Sequence, residues 1–148
     1  MKHLILGSLF LFLAPGATAQ TETDWTTLLT KSGSKVVAVE GATEIDVSTA
    51  KTLHDRGLRF IDVRGSYDWK SGHIPGASGL SYPTEASLME IVDKTDEVVF
   101  YCDCAGSPTC NLSPNASARA VAWGYQNVYY LTDAGAWSAA GYPLETAE

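Results

Sequence analysis

The sequence predicts a single α/β domain built on a mostly parallel central sheet with helices on both faces. Three observations carry that reading. Short apolar, β-branched runs, as at residues 58–63 and 97–101, alternate with segments of helical periodicity. Turn residues mark the junctions, among them Gly57, Gly72, the HIPGA turn over residues 73–77 and Gly124. Residues 20–148, what is left once a leader is removed, are a length suited to one hydrophobic core rather than two.

Taken in order, Lys2 precedes an apolar run from Leu4 to Leu13 and the small residues Ala17, Thr18 and Ala19. That pattern is a secretory signal peptide over residues 1–19, cleaved after Ala19. The run is shorter than the ~20 residues of a permanent span, so a soluble protein, periplasmic or secreted and without a membrane anchor, is expected. Residues 20–43 form a lead-in, with Asp24 capping a helix that carries Trp25, Leu28 and Leu29, and residues 35–39 extended. The domain proper is placed at residues 44–145.

Within it, Ser48 caps a helix reaching Arg56, with Val47, Ala50 and Leu53 at helical spacing and Gly57 as its stop. A strand over 58–63 leads to a short helix at 67–70, a brief strand at 79–82 and a helix at 85–92. Residues 97–101, EVVFY, are the central strand. Ser113 then caps a helix with Pro114 in its first position and Gly124 after its end. Residues 127–131 make the last strand, and Trp137, Tyr142 and Pro143 close the domain.

A net charge of −7 without any basic cluster argues against nucleic acid or an anionic membrane as partner. No cofactor motif is present, and no cofactor is expected. Cys102, Cys104 and Cys110 are three soft ligands, but structural zinc takes four and no histidine lies nearby, so no metal is expected either. The oligomeric state is left open.

All three cysteines fall within residues 98–120, and Cys102 directly follows the central strand. Ligands of such sheets bind beyond the carboxyl ends of the strands. The backbone N–H groups of Asp103, Cys104, Ala105, Gly106, Ser107, Thr109, Cys110, Asn111, Leu112 and Ser113, with the helix start, are expected to form an anion cradle around Cys102. Such a cradle should lower the thiol pKa from its free value of about 8.5 and favour the nucleophilic thiolate. An odd cysteine count leaves at least one thiol unbridged. Two pairings stay open: Cys104 with Cys110, stapling the loop and leaving Cys102 reactive, or Cys102 with Cys110 as a dithiol switch. A bridge between Cys102 and Cys104 would be strained and easily reduced.

FIDVRGSYDWKSGHIPGA, residues 60–77, resembles the corresponding segment of rhodanese (sulfurtransferase) domains. VVFYC with its loop and serine-started helix, then GYQNVYYL and AWSAAGYPLE, resembles the second half of the same domain, so the likeness covers residues 44–145. It implies that Cys102 accepts a sulfane sulfur as a persulfide from a small sulfur donor and passes it to a thiol or protein acceptor. It also implies a structural Arg64–Asp68 pair and a turn role for His73. The loop departs from the family's usual length, with ten residues between Cys102 and Ser113. An elongated loop with Cys110 shortly before Ser113 is similar to that of a group of exported rhodanese-like proteins. Two alternatives accompany sulfur transfer: a thiol–disulfide redox protein using Cys102 with Cys104 or Cys110, and a catalytically silent binding module.

The other polar and aromatic residues read as scaffold. Asp62 ends its strand by accepting backbone hydrogen bonds, His54 is a solvent-facing helix residue, and Trp69, Trp123 and Trp137 pack. Arg119 lies too far from Cys102 in sequence to complete a phosphatase loop.

Overall fold

The computed structural model describes residues 38–104 and 111–147. The leader, the Trp25 helix and residues 105–110 of the cysteine loop lie outside them. The described chain runs β1 (Ala42–Glu44), α1 (Val47–Asp55), β2 (Arg59–Asp62), α2 (Ser66–Ser71), β3 (Ser78–Gly79), α3 (Glu85–Met89), β4 (Glu97–Tyr101), α4 (Leu112–Ala122), β5 (Asn127–Leu131) and α5 (Gly135–Ala139). Five strands form one sheet in the order β1-β5-β4-β2-β3, and every pairing is parallel.

A parallel sheet is covered on both faces, so its central strand must be apolar on both sides. β4 obeys this. Val98, Phe100 and then Cys102 pack with Ile61, Leu88, Ala116 and Ala120 beneath α3 and α4. Val99 and Tyr101 face the other way, with Ala50 and Leu53 of α1 and Trp137 of α5. Burying an apolar side chain of this size stabilises by roughly 1.5–3 kcal/mol, so two such layers hold the sheet. Trp137 is fully buried and its Nε1 donates to the Pro143 carbonyl at 2.8 Å, which anchors the closing turn.

Helix starts depart from the expected caps. Asp46, not Ser48, caps α1: its carboxylate accepts from the Thr49 amide at 2.7 Å, and the Ser48 hydroxyl also donates to it. α3 starts at a Thr84–Ser87 capping box and stops at Met89 rather than running to 92. α4 is capped by Asn111, which puts Ser113 in its second position and Pro114 in its third. Trp123 ends that helix, and Gly124 follows with φ +92°, a left-handed turn that glycine adopts without a Cβ penalty. β3 covers Ser78–Gly79, earlier than the 79–82 expected. The first strand begins at Ala42, ahead of position 44, and pairs with β5 at the sheet edge. Among the described residues no helix is long and apolar enough to cross a membrane.

Candidate active site

β2, β4 and β5 lie side by side and in register, with Asp62, Tyr101 and Leu131 level at their carboxyl ends. One residue further, Cys102 leaves β4. Its amide donates to the Leu131 carbonyl at 3.1 Å and its carbonyl accepts from the Ala134 amide at 3.0 Å, so the chain beyond β4 stays tied to the β5–α5 turn. Cys104 is tied the same way, its amide donating to the Thr132 carbonyl at 3.0 Å, with Asp103 bridged to Asp133 between them.

Cys102 carries a buried thiol, and Cys104 is disulfide-bonded. Cys110, the third cysteine of the chain, lies outside the described residues. The two described sulfurs stand 3.3 Å apart. The early turns of α4 reach the thiol from above: the Ser113 amide donates to Cys102 Sγ at 3.4 Å, and Ser113 Oγ lies 3.1 Å from it. Ser113 Oγ donates to the Leu131 carbonyl at 3.0 Å, so in this arrangement it accepts the thiol proton. Burying Ser113 beside sulfur, instead of leaving it as an exposed cap, gives the thiol a polar partner.

The expected fall in the Cys102 pKa is overturned. The residue has no exposed surface, and burial pushes the thiol above its ordinary range. The Ser113 hydroxyl and amide pull the other way, while the charges of Asp103 and Asp62 add to the rise. The cradle is also thinner than the sequence predicts. Among the described residues Ser113 supplies the amide aimed at Sγ, whereas the Cys104 amide is taken by Thr132; residues 105–110 fall outside the description.

Beneath the site, Arg64 pairs with Asp62 and not with Asp68. Asp62 is fully buried and accepts from Arg64 Nε at 3.0 and 3.1 Å, from Nη2 at 2.6 Å and from the Arg64 amide at 2.9 Å. Arg64 Nη2 also donates to the Gly72 carbonyl at 2.7 Å, and Asp68 adds only longer-range attraction. The guanidinium lies over the Tyr101 ring, 5.6 Å from its centroid. Burial and the neighbouring Asp62 charge push the Tyr101 hydroxyl well above its usual range, so it stays a neutral partner for the Ile74 amide. This network fixes the DVR turn beside the cysteine; the sequence pointed to Asp62 and Arg64 but not to Tyr101.

His73 keeps its turn role, its Nδ1 donating to the Trp69 carbonyl at 2.9 Å and its ring stacked on Trp69. His54 is not solvent-facing as expected. Its Nε2 donates to the Pro75 carbonyl at 2.9 Å and its ring meets the edges of Phe60 and Trp137. Arg119 lies over the Trp123 ring and lines a groove of about 390 Å³ together with Val63, Tyr82, Pro83, Leu112 and Ala116. Val63 and Ala116 share the apolar cluster of Cys102, so the groove abuts the thiol's packing shell. No group of three or more His, Cys, Asp or Glu side chains among the described residues could hold a metal ion.

The Rhodanese-like domain family matches residues 46–139. A tRNA uridine(34) hydroxylase of Buchnera aphidicola is 32% identical over 89 residues, which are 53% of this chain and 26% of that protein. The crystal structure of a thiosulfate sulfurtransferase from Pseudomonas aeruginosa shares 30% identity at TM-score 0.54, over 72% of this chain and 20% of that one. The BH2092 protein from Bacillus halodurans, at TM-score 0.59 and 23% identity over 70% of this chain and 77% of its own, shares the fold. The chain thus spans about a quarter of the curated relative's length.

Proposed function

This chain belongs to the rhodanese-like domain family, and from that premise we propose that it is an exported sulfurtransferase that carries sulfane sulfur as a persulfide on Cys102. The observation that carries the reading is a buried thiol just past the carboxyl end of the central strand, contacted by both the amide and the hydroxyl of Ser113. The likeness to a thiosulfate sulfurtransferase supports the donor class, a small molecule with a sulfane sulfur.

The chemistry is a pair of displacements. The Cys102 thiolate attacks the donor's outer sulfur, a new S–S bond forms, and the donor's bond to that sulfur breaks, releasing an anion. An acceptor thiolate then takes the outer sulfur and returns Cys102 to its thiolate. When Cys102 ionises, the Ser113 hydroxyl turns from the Leu131 carbonyl to donate to sulfur, joining the Ser113 amide. A sulfur without exposed surface meets an external donor only through local opening, so turnover is slow. Pairing Cys104 with Cys110 completes the reading, since it staples the loop and leaves Cys102 as the acceptor thiol. Export rests on the leader over residues 1–19, and amino-terminal sequencing of the secreted protein should begin at Gln20.

The test is intact-mass analysis after incubation with thiosulfate, a mercapto acid or inorganic polysulfide. The wild type should gain one sulfur atom and lose it to an added thiol, and Cys102→Ser should gain none. Sulfur uptake by Cys102→Ser equal to that of wild type would remove Cys102 from the mechanism.

A further inference from the structure

We propose that the groove along α4 is the subsite for the body of the sulfur donor, and that it selects an apolar organic persulfide whose chain ends in a carboxylate held by Arg119. The proposal rests on the reading of Cys102 as the sulfur carrier and adds the chemical class of its donor.

One wall of the groove is helical. Leu112, Asn115, Ala116 and Arg119 fall at i, i+3, i+4 and i+7 of α4, so they form a single stripe along it. Val63, Tyr82 and Pro83 make the other wall. That second wall is held at both ends: the Ser81 hydroxyl donates to the Arg64 carbonyl at 2.6 Å, and Thr84 opens α3 in a capping box. The groove is therefore preformed, and its volume of about 390 Å³ suits a small organic molecule.

The two ends of the groove differ in chemistry. Leu112 adjoins Ser113, whose amide and hydroxyl contact Cys102 Sγ, and Val63 and Ala116 pack in the apolar cluster of that thiol. From Leu112 to Arg119, α4 rises roughly 10 Å. The Arg119 guanidinium is steadied by the Trp123 ring, 5.1 Å from its centroid, and takes part in none of the ion pairs among the described residues. Among the described residues no carboxylate lines the groove. In a chain of net charge −7, an apolar trough therefore carries a positive charge that an incoming anion can neutralise. Tyr82 is 81% exposed and Leu112 40%, so the apolar body of a ligand would cover surface now in contact with water.

The occupant follows from this layout: a sulfane sulfur toward Cys102, an apolar chain over Ala116 and Tyr82, and a carboxylate on Arg119 about 10 Å from the sulfur. In the transfer the Cys102 thiolate bonds to the donor's outer sulfur, the donor's S–S bond breaks, and the chain leaves as a thiolate. Thiosulfate is too short to span the groove and is the poorer donor.

The experiment reads binding apart from transfer. The 15N-labelled protein is titrated at mildly acidic pH with straight-chain carboxylates from butanoate to decanoate, which contain no sulfur, following the Arg119 Nε–Hε and Ala116 amide resonances. Affinity should climb about three- to fourfold per methylene as far as octanoate and then level off. Arg119→Gln should weaken octanoate binding about three- to tenfold, and Arg119→Lys less. Equal affinity along the series, or equal affinity in Arg119→Gln, would overturn the proposal. Groove resonances that move on dilution without any carboxylate would overturn it too, by giving the groove to a second copy of this chain. Transfer is read by intact mass: the persulfide of an ω-mercapto-octanoate should load Cys102 at about tenfold lower concentration than thiosulfate, and Arg119→Gln should lose most of that advantage. No advantage in the wild type would sink the donor assignment. Carboxylates that bind as expected while no donor loads Cys102 would overturn the sulfur-carrier reading alone and leave the groove a carboxylate site.

Discussion

Replacing Ser113 by alanine isolates the side-chain contribution to the Cys102 thiolate. In the wild type, Ser113 Oγ sits 3.1 Å from Sγ while the amide at 3.4 Å remains in either protein. A hydrogen bond to a charged group contributes about 1.5–3 kcal/mol, and each pKa unit corresponds to about 1.36 kcal/mol. Losing the hydroxyl should therefore raise the Cys102 pKa by about one to two units beyond its already elevated value. The assay is a pH titration of the Cys102 Cβ resonance in protein labelled with 13C-cysteine, which reads the folded thiol directly and needs no reagent to reach it. At any pH below the midpoint the thiolate fraction should fall by about ten- to a hundredfold, and persulfide formation should fall with it. A midpoint that stays put or moves down would mean that the hydroxyl stabilises only the neutral thiol, and the account of sulfur activation would be wrong.

The wild-type rate of persulfide formation should climb with pH without levelling near neutrality, because the buried thiol ionises above the usual cysteine value of about 8.5; a plateau by pH 7 would contradict the raised pKa. Arg64→Leu strands the fully buried Asp62 carboxylate and should cost about 3–5 kcal/mol in urea unfolding, whereas a loss under about 1 kcal/mol would place the pair among weak surface contacts. Gly79→Ala should cost about 1–3 kcal/mol, since its Cβ would stand 2.9 Å from Trp69 Cδ2 and press a ring stacked on His73; unchanged stability would show that the Trp69–His73 stack is free to move.

The sequence was most legible where burial on two faces leaves no choice of residue. Residues 97–101 and 127–131 were read at their observed bounds because each alternate side chain faces a different helix layer. It was least legible at the edges. β1 is three residues of intermediate burial, too short for a pattern, and its place comes from pairing with β5 far along the chain. Helix starts were ambiguous wherever two capping oxygens stand close together. Asp46 and Ser48 both qualify by type, and the carboxylate holds the Thr49 amide while Ser48 serves it. Ser113 beside Pro114 looked like a cap and became the partner of the thiol. The one local hint was its spacing, four residues before the buried Ser117 on the same stripe as Ala116 and Ala120. Arg64 likewise chose Asp62 over Asp68, because a bidentate fork on a buried carboxylate outweighs a helix-spaced partner in solvent.

The sign of the Cys102 pKa shift shows why counting donors was not enough. A helix start and a loop of amides favour the thiolate, and Ser113 supplies two groups that pull the pKa down, its hydroxyl and its amide. Burial disfavours the charged form and is the largest influence on this thiol, and the carboxylates of Asp103 and Asp62 push in the same direction. Desolvation wins, and the resting thiol is neutral. Sequence places donors near an atom but does not say whether water is excluded from it, and that exclusion decides the outcome here. The same exclusion works differently once a charge has formed, because a hydrogen bond in a dry site is stronger than in water. A site that resists ionisation at rest can thus still strengthen the Ser113 hydrogen bonds to Cys102 Sγ once that sulfur is charged.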